Sequence, residues 1–104
     1  MQREVLKREV DLLLLATLQG GPAHGYRIVE LLRERSSGTF ELAEGTVYPA
    51  LHRLEREGLL LSRWEVVSGR RRRIYRLSRR GESTLARRRR QWFELADAMK
   101  EVLA

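Results

Sequence analysis

Apolar residues recur at helical spacing through Val5, Leu6, Val10 and Leu13, then run unbroken from Leu12 to Ala16, which predicts a first helix over Arg3 to Gln19. A helix apolar on every face belongs in the middle of a core or inside an oligomer interface. Gly20-Gly21-Pro22 stops it, because Gly accepts the left-handed cap and Pro cannot continue the helix. A second helix over about His24 to Glu34 opens near Tyr26 and buries Ile28, Val29, Leu31 and Leu32; Ser36-Ser37-Gly38 ends it. Thr39-Phe40-Glu41-Leu42 alternates with period two and predicts a very short strand.

A third helix follows over Glu44 to Glu57, closed by Gly58. Val47, Leu51 and Leu54 lie at i, i+4 and i+7 and form its inward face, while Tyr48, Pro49, His52, Arg53 and Arg56 fall opposite. A mid-helix proline costs about 3 kcal/mol, so Pro49 is expected in the first turn, with the helix beginning close to Tyr48. From Leu59 the period becomes two. Leu60, Ser62, Trp64 and Val66 alternate with Leu61, Arg63, Glu65 and Val67; Ser68-Gly69 marks a turn, and Arg70 to Leu77 returns as a hairpin bearing four consecutive arginines. Ser78 is a good N-cap for a last helix running to the C-terminus. Gly81 near its start costs about 1 kcal/mol against Ala, so a close packing contact is expected there. Leu85, Trp92, Leu95, Ala96, Met99, Val102 and Leu103 form a stripe at 3–4 spacing with little else to cover it, the mark of self-association.

The chain has 104 residues, the size of one domain, and no cysteine, which excludes a disulfide framework, a thiolate zinc site and a cysteine nucleophile. The longest apolar run is far below the ~20 residues that span a bilayer, and no signal peptide is apparent, so a cytoplasmic location without membrane contact is expected. Charge is unevenly spread. Residues 1–52 carry six Lys+Arg against seven Asp+Glu, whereas residues 53–104 carry fifteen against seven, and residues 70–90 hold eleven Arg against the single Glu82. A neutral front and a basic rear third is the pattern of a surface that meets a polyanion. No nucleophile–base set, phosphate-cradling glycine loop or His/carboxylate cluster occurs, so neither an enzyme nor a metal or cofactor is expected.

The order helix, helix, helix, basic hairpin, helix suits a mainly α (α+β) winged helix-turn-helix. His24-Gly25-Tyr26, the string from Gly45-Thr46-Val47-Tyr48-Pro49-Ala50-Leu51 to Leu54-Glu55-Arg56-Glu57-Gly58-Leu59, Arg63-Trp64, the wing ending in Tyr75-Arg76-Leu77, and Ser78 followed by Gly81 resemble the PadR-type transcriptional regulators. The resemblance covers about residues 10–104. It implies a winged helix-turn-helix over residues 1–77 with a short three-stranded sheet and a first helix near the dimer seam. A C-terminal dimerisation helix over 78–104 completes it, as in the compact, single-helix subgroup of the family. It further implies a homodimeric bacterial repressor, with the third helix in the major groove and the wing on the flanking groove or backbone.

Candidate DNA contacts follow. A helix fits the ~12 Å major groove, and Thr46, Tyr48, Pro49, His52 and Arg53 have suitable lengths and polarity; Arg53 is the candidate for bidentate contact with guanine. Tyr48 packs against the hairpin or enters the groove, His52 reads the groove or is simply solvated, and Tyr26 reaches a phosphate or caps the core. Arg70, Arg71, Arg72 and Arg73 lie on alternating faces of the hairpin, so some must face a duplex beneath it. Arg87 to Arg90 point in four directions and serve no single surface. Leu85, Trp92, Leu95, Ala96, Met99, Val102 and Leu103 are the candidate dimer contacts. Trp92 chiefly fills that seam; the family resemblance adds a second reading, in which two Trp92 rings sandwich a small planar aromatic effector. The expected partner is duplex DNA carrying a near-palindromic operator. A basic RNA-binding or ribosome-associated module is the alternative, weakened by the lack of paired aromatics on a sheet. The arginine density disfavours a protein-interaction module.

Overall fold

The computed structural model describes the backbone from Arg3 and the side chains from Glu9; the predicted stripe positions Val5 and Leu6 lie outside the described side chains. The elements are α1 (Arg3–Leu18), β1 (Ala23–His24), α2 (Gly25–Arg35), α3 (Glu44–Arg56), β2 (Leu60–Val67), β3 (Arg70–Leu77) and α4 (Arg79–Leu103). The strands form one antiparallel sheet in the order β1-β3-β2. Four helices and this small sheet make a winged helix-turn-helix.

The core is where the apolar faces of α1, α2 and α3 meet the sheet. Leu14, Leu15, Ile28, Val47, Leu51, Leu54, Leu60 and Tyr75 are its most deeply buried members. The apolar run of α1 accounts for its central place, and the buried Thr17 is tolerated because its hydroxyl donates to the Leu13 carbonyl at 2.7 Å. The hairpin closes through Ser68 (φ 52°) and Gly69 (φ 76°), the two left-handed residues that a two-residue turn matched to strand twist requires. The resulting register sets Val67 opposite Arg70 and Leu60 opposite Leu77. At the foot of the wing, Ser78 accepts from the Gly81 amide at 3.0 Å and donates to the Gly58 carbonyl at 2.6 Å. A Cβ on Gly81 would lie 2.1 Å from the Leu59 carbonyl oxygen, which is the close contact the sequence suggests.

Three expectations are corrected. Thr39 to Leu42 is not a strand: the segment is a loop in which the Phe40 amide donates to Ser36 Oγ and Leu42 is buried as a plug. The third strand is instead Ala23–His24, paired with Tyr75 and Ile74, and two residues are too few to show periodicity. The third helix starts at Glu44, as its expected range has it, and not close to Tyr48: Pro49 is its sixth residue and lies beyond the first turn, because the Thr46 and Val47 amides already bond the Ala43 carbonyl. Pro49 has no amide to offer the carbonyl four residues back, that of Gly45, and Gly45 is exposed, where water can take the place of that donor. Leu85 is 1% exposed and belongs to the core of its own chain, so it is not part of an open seam. The first turns of α4 thus pack with α1 and the sheet, and the exposed stripe begins at Trp92.

Candidate nucleic-acid interface

Burying Val47, Leu51 and Leu54 turns the opposite side of α3 outward. Gly45, Pro49, His52 and Arg56 form its exposed stripe, with Thr46 also exposed beside it. One flank of α3 faces the wing. There Tyr48, His52, Trp64, Arg71, Arg72, Arg73 and Tyr75, with His24 and Gly25, line an open groove of about 450 Å³. Gly25 is required for this geometry, since a Cβ there would sit 2.5 Å from the Tyr48 ring. Tyr48 is therefore half-buried against α2, with its edge in the groove.

The wing arginines are not equivalent. Arg73 donates through Nε to Ser62 Oγ at 2.8 Å and through Nη2 to Glu55 of α3 at 3.3 Å, while Ser62 donates to Glu55. Arg73 thus ties the wing to the helix. Arg71 lies with its guanidinium 4.7 Å from the centre of the Trp64 ring, and Arg73 flanks the same ring at 5.5 Å. Arg70 is exposed at the tip and Arg72 half-exposed. At the start of α2, His24 Nδ1 accepts from the Arg27 amide at 3.2 Å, which requires that nitrogen to be unprotonated. Burial, and next the charge of Arg72, hold its pKa below the ordinary histidine value. Tyr26 is exposed at the same helix end.

Arg53 departs from the sequence reading. Its two terminal nitrogens grip both carboxylate oxygens of Asp11 at 2.7 and 2.9 Å, with Glu57 at 3.6 Å. The hydrogen bond to Asp11 raises its pKa. The guanidinium edge expected to be free for a guanine is already engaged, because Arg53 projects from the flank of α3 that faces α1.

A recognition-type helix, an arginine-rich wing and a capped second helix stand on one scaffold, and residues 14–87 match the profile of the transcriptional regulator PadR-like family. The chain belongs to that family. It is similar to "Transcriptional regulator Rv3488" of Mycobacterium tuberculosis at 41% identity over 101 residues, covering 97% of this chain and 89% of the relative. Its fold is similar to that of a transcriptional regulator from Clostridium thermocellum, with a TM-score of 0.87, 25% identity, and coverage of 97% of this chain and 96% of that one. It is also similar in fold to Bacillus subtilis PadR in complex with operator DNA, with a TM-score of 0.67 and 23% identity over 73% of this chain and 44% of that one.

The other open surface of this PadR-like regulator lies along α4. Trp92, Phe93, Leu95, Met99, Val102 and Leu103 are all exposed and Ala96 is half-exposed. Trp92, Phe93 and Leu95 face Leu12, Leu13 and Ala16 of α1 and Phe40 across an apolar groove of about 520 Å³. Trp92 and Phe93 meet edge to face at 5.4 Å. Arg88 and Arg89 line the grooves beside Trp92, and Arg89 donates to Gln19, while Arg87 and Arg90 point to solvent. Among the described residues no helix is long and apolar enough to cross a membrane, and no cluster of His, Cys, Asp or Glu is placed to hold a metal ion.

Of the predicted contacts, Tyr48, His52 and Arg71 to Arg73 converge on one groove, Thr46 and Pro49 are exposed on the neighbouring helix face, and Tyr26, Arg70 and Arg53 lie apart from it. Sequence reasoning placed Arg56 on the outward face and Trp64 in the family motif without making either a contact, and it passed over Phe93 and Asp11. Arg56 shares the outward stripe of α3, and Trp64 is in register with Arg73. Asp11 is the one acid inside the run from Val10 to Ala16, a signal that it has a dedicated partner.

Proposed function

We propose that this chain is a homodimeric, DNA-binding repressor that reads a near-palindromic operator with α3 and grips the flanking backbone with its wing. The observation that carries this reading is the outward stripe of α3 standing beside arginines of the β2–β3 hairpin. Thr46, Pro49, His52 and Arg56 are the set that faces the major groove of DNA, Tyr48 edges the cleft between α3 and the wing, and Tyr26 at the start of α2 is placed for a phosphate. Arg70, Arg71 and Arg72 neutralise backbone phosphates, each contact releasing counterions with a slope near −0.9. The operator complex of Bacillus subtilis PadR supports DNA as the partner class.

Two copies pair through Trp92, Leu95, Ala96, Met99, Val102 and Leu103, joined by Phe93, with α1 alongside. Each large apolar side chain taken from full exposure to burial is worth about 1.5–3 kcal/mol, and with these side chains already partly covered the set from two chains is of the same order as the ~4–15 kcal/mol cost of association. A two-fold pair sets the two α3 helices about one turn of DNA apart, ~34 Å. A flat aromatic molecule stacked on Trp92 in the α1–α4 groove relieves repression. The test is footprinting on DNA upstream of the chain's own gene. The reading expects two equal protected half-sites related by a two-fold axis; a protected region without that symmetry, or structured RNA outcompeting duplex DNA at moderate salt, overturns it.

A further inference from the structure

The Asp11–Arg53 pair is the feature that operator reading as set out above leaves unused. It joins α1 to the DNA-facing helix across forty-two residues of sequence. Asp11 is mostly covered, with 17% of its side chain exposed, whereas Arg53 retains 42%. The contact is fork to fork, with both carboxylate oxygens on both terminal nitrogens. Such a pair fixes the guanidinium against the carboxylate in one relative orientation, which a single hydrogen bond does not, and so couples the placement of α3 to that of α1. On its other flank α3 is tied to the wing by Glu55 and Arg73. The helix is therefore held between two charged attachments, one to the wing and one to α1.

Asp11 also faces a second surface. With Leu12, Gln91, Trp92 and Leu95 it lines a groove of about 390 Å³ between α1 and α4, adjoining the apolar groove that shares Leu12, Trp92 and Leu95. One carboxylate thus touches the recognition helix and borders the cleft beside Trp92. We propose that Asp11 is a positioning residue for DNA reading: its two-pronged grip on Arg53 fixes the pose of α3, and through that grip the contents of the Trp92 groove change operator affinity. This rests on the dimeric, groove-regulated reading above and names the side chains that carry the regulation. Arg53 acts here through Asp11 and not as a reader of guanine.

The chain has no cysteine, so a single one can be labelled without side reaction. Gln91→Cys, modified with N-phenylmaleimide, places one flat ring in the groove whatever the natural effector is. Affinity for a fluorescent duplex from the upstream region is measured with and without the label in the Asp11, Asp11→Asn, Asp11→Glu and Arg53→Lys backgrounds. Labelling is expected to shift affinity by about fivefold or more with Asp11 present, in the usual range for coupled sites. The shift falls below about twofold in Asp11→Asn and in Arg53→Lys, which keeps the charge but loses the fork, and returns in Asp11→Glu. Arg53→Lys answers the question even if Asp11→Asn does not fold. An equal shift in all backgrounds, or no shift with Asp11 present, overturns the proposal. Failure of the parent chain, with Gln91 in place, to hold duplex DNA overturns the proposed function instead.

Discussion

The unequal wiring of the wing makes a sharp prediction about salt. Arg71 rests on the face of Trp64, a contact worth about 0.5–1 kcal/mol that pre-places its guanidinium without consuming its donors. Arg73 commits Nε to Ser62 and Nη2 to Glu55, which holds its guanidinium toward α3. On this geometry Arg71→Ala removes a phosphate contact, whereas Arg73→Ala removes an internal ion pair worth roughly 0.2–1 kcal/mol at that exposure. Each lost phosphate contact lowers the slope of log affinity against log salt by about 0.9, so the fourfold rise from about 50 to about 200 mM weakens the parent about 3.5-fold more than Arg71→Ala. Adding Arg70→Ala brings the difference to about twelvefold. Fluorescence anisotropy on a labelled duplex across a salt series reads this directly. Arg73→Ala is expected to keep the parental slope with a lower affinity throughout. Should Arg73→Ala flatten the slope as much as Arg71→Ala, Arg73 holds phosphate and the division drawn here fails.

Other expectations are as direct. Gly81→Ala forces a Cβ to 2.1 Å from the Leu59 carbonyl oxygen, and backbone on both sides cannot yield cheaply. The helix-propensity gain of about 1 kcal/mol is outweighed, and a net loss of about 2 kcal/mol lowers Tm by roughly 8–16 °C in calorimetry; an unchanged or raised Tm contradicts the packing. Because the folded chain holds the pKa of His24 below 6.5, the unfolded chain takes up a proton first as pH falls. Stability supported by neutral His24 is therefore complete above about pH 6.5 and declines below it, and His24→Asn, which still caps α2, is expected to lose that decline in urea titrations. Met99→Glu places a charge in the proposed seam and is expected to yield monomers in sedimentation with the fold's circular dichroism intact; persistent dimers move the interface elsewhere.

Much of the fold was legible because its signals are local and periodic. The inward triad of α3, the two-residue hairpin turn and the Ser78 cap on the Gly81 amide each depend on neighbours within a few residues, and the glycine near the start of α4 announced a close contact although its partner, Leu59, is distant in sequence. What escaped depends on tertiary placement. Ala23–His24 becomes a strand only because β3 offers it a free edge. Pro49 is tolerated inside α3 because Gly45 is exposed, a fact no propensity scale contains. Leu85 and Trp92 lie on one helical stripe, yet the first is covered by the chain's own core and the second is left open, since α4 outruns the domain it starts from. For the candidate site, sequence pattern identified the outward face of α3 and the basic wing. It could not tell which arginines were already engaged. Arg53 and Arg73 find carboxylates 42 and 18 residues away, whereas Arg71 finds a ring.

The most direct measurement is sedimentation velocity of the protein with a fluorescent duplex from its own upstream region, at micromolar concentration in low salt. Two chains moving with each duplex, and a dimer in its absence, is the expected result. A lone chain on each duplex, or a duplex that sediments as if no protein were present, contradicts the account.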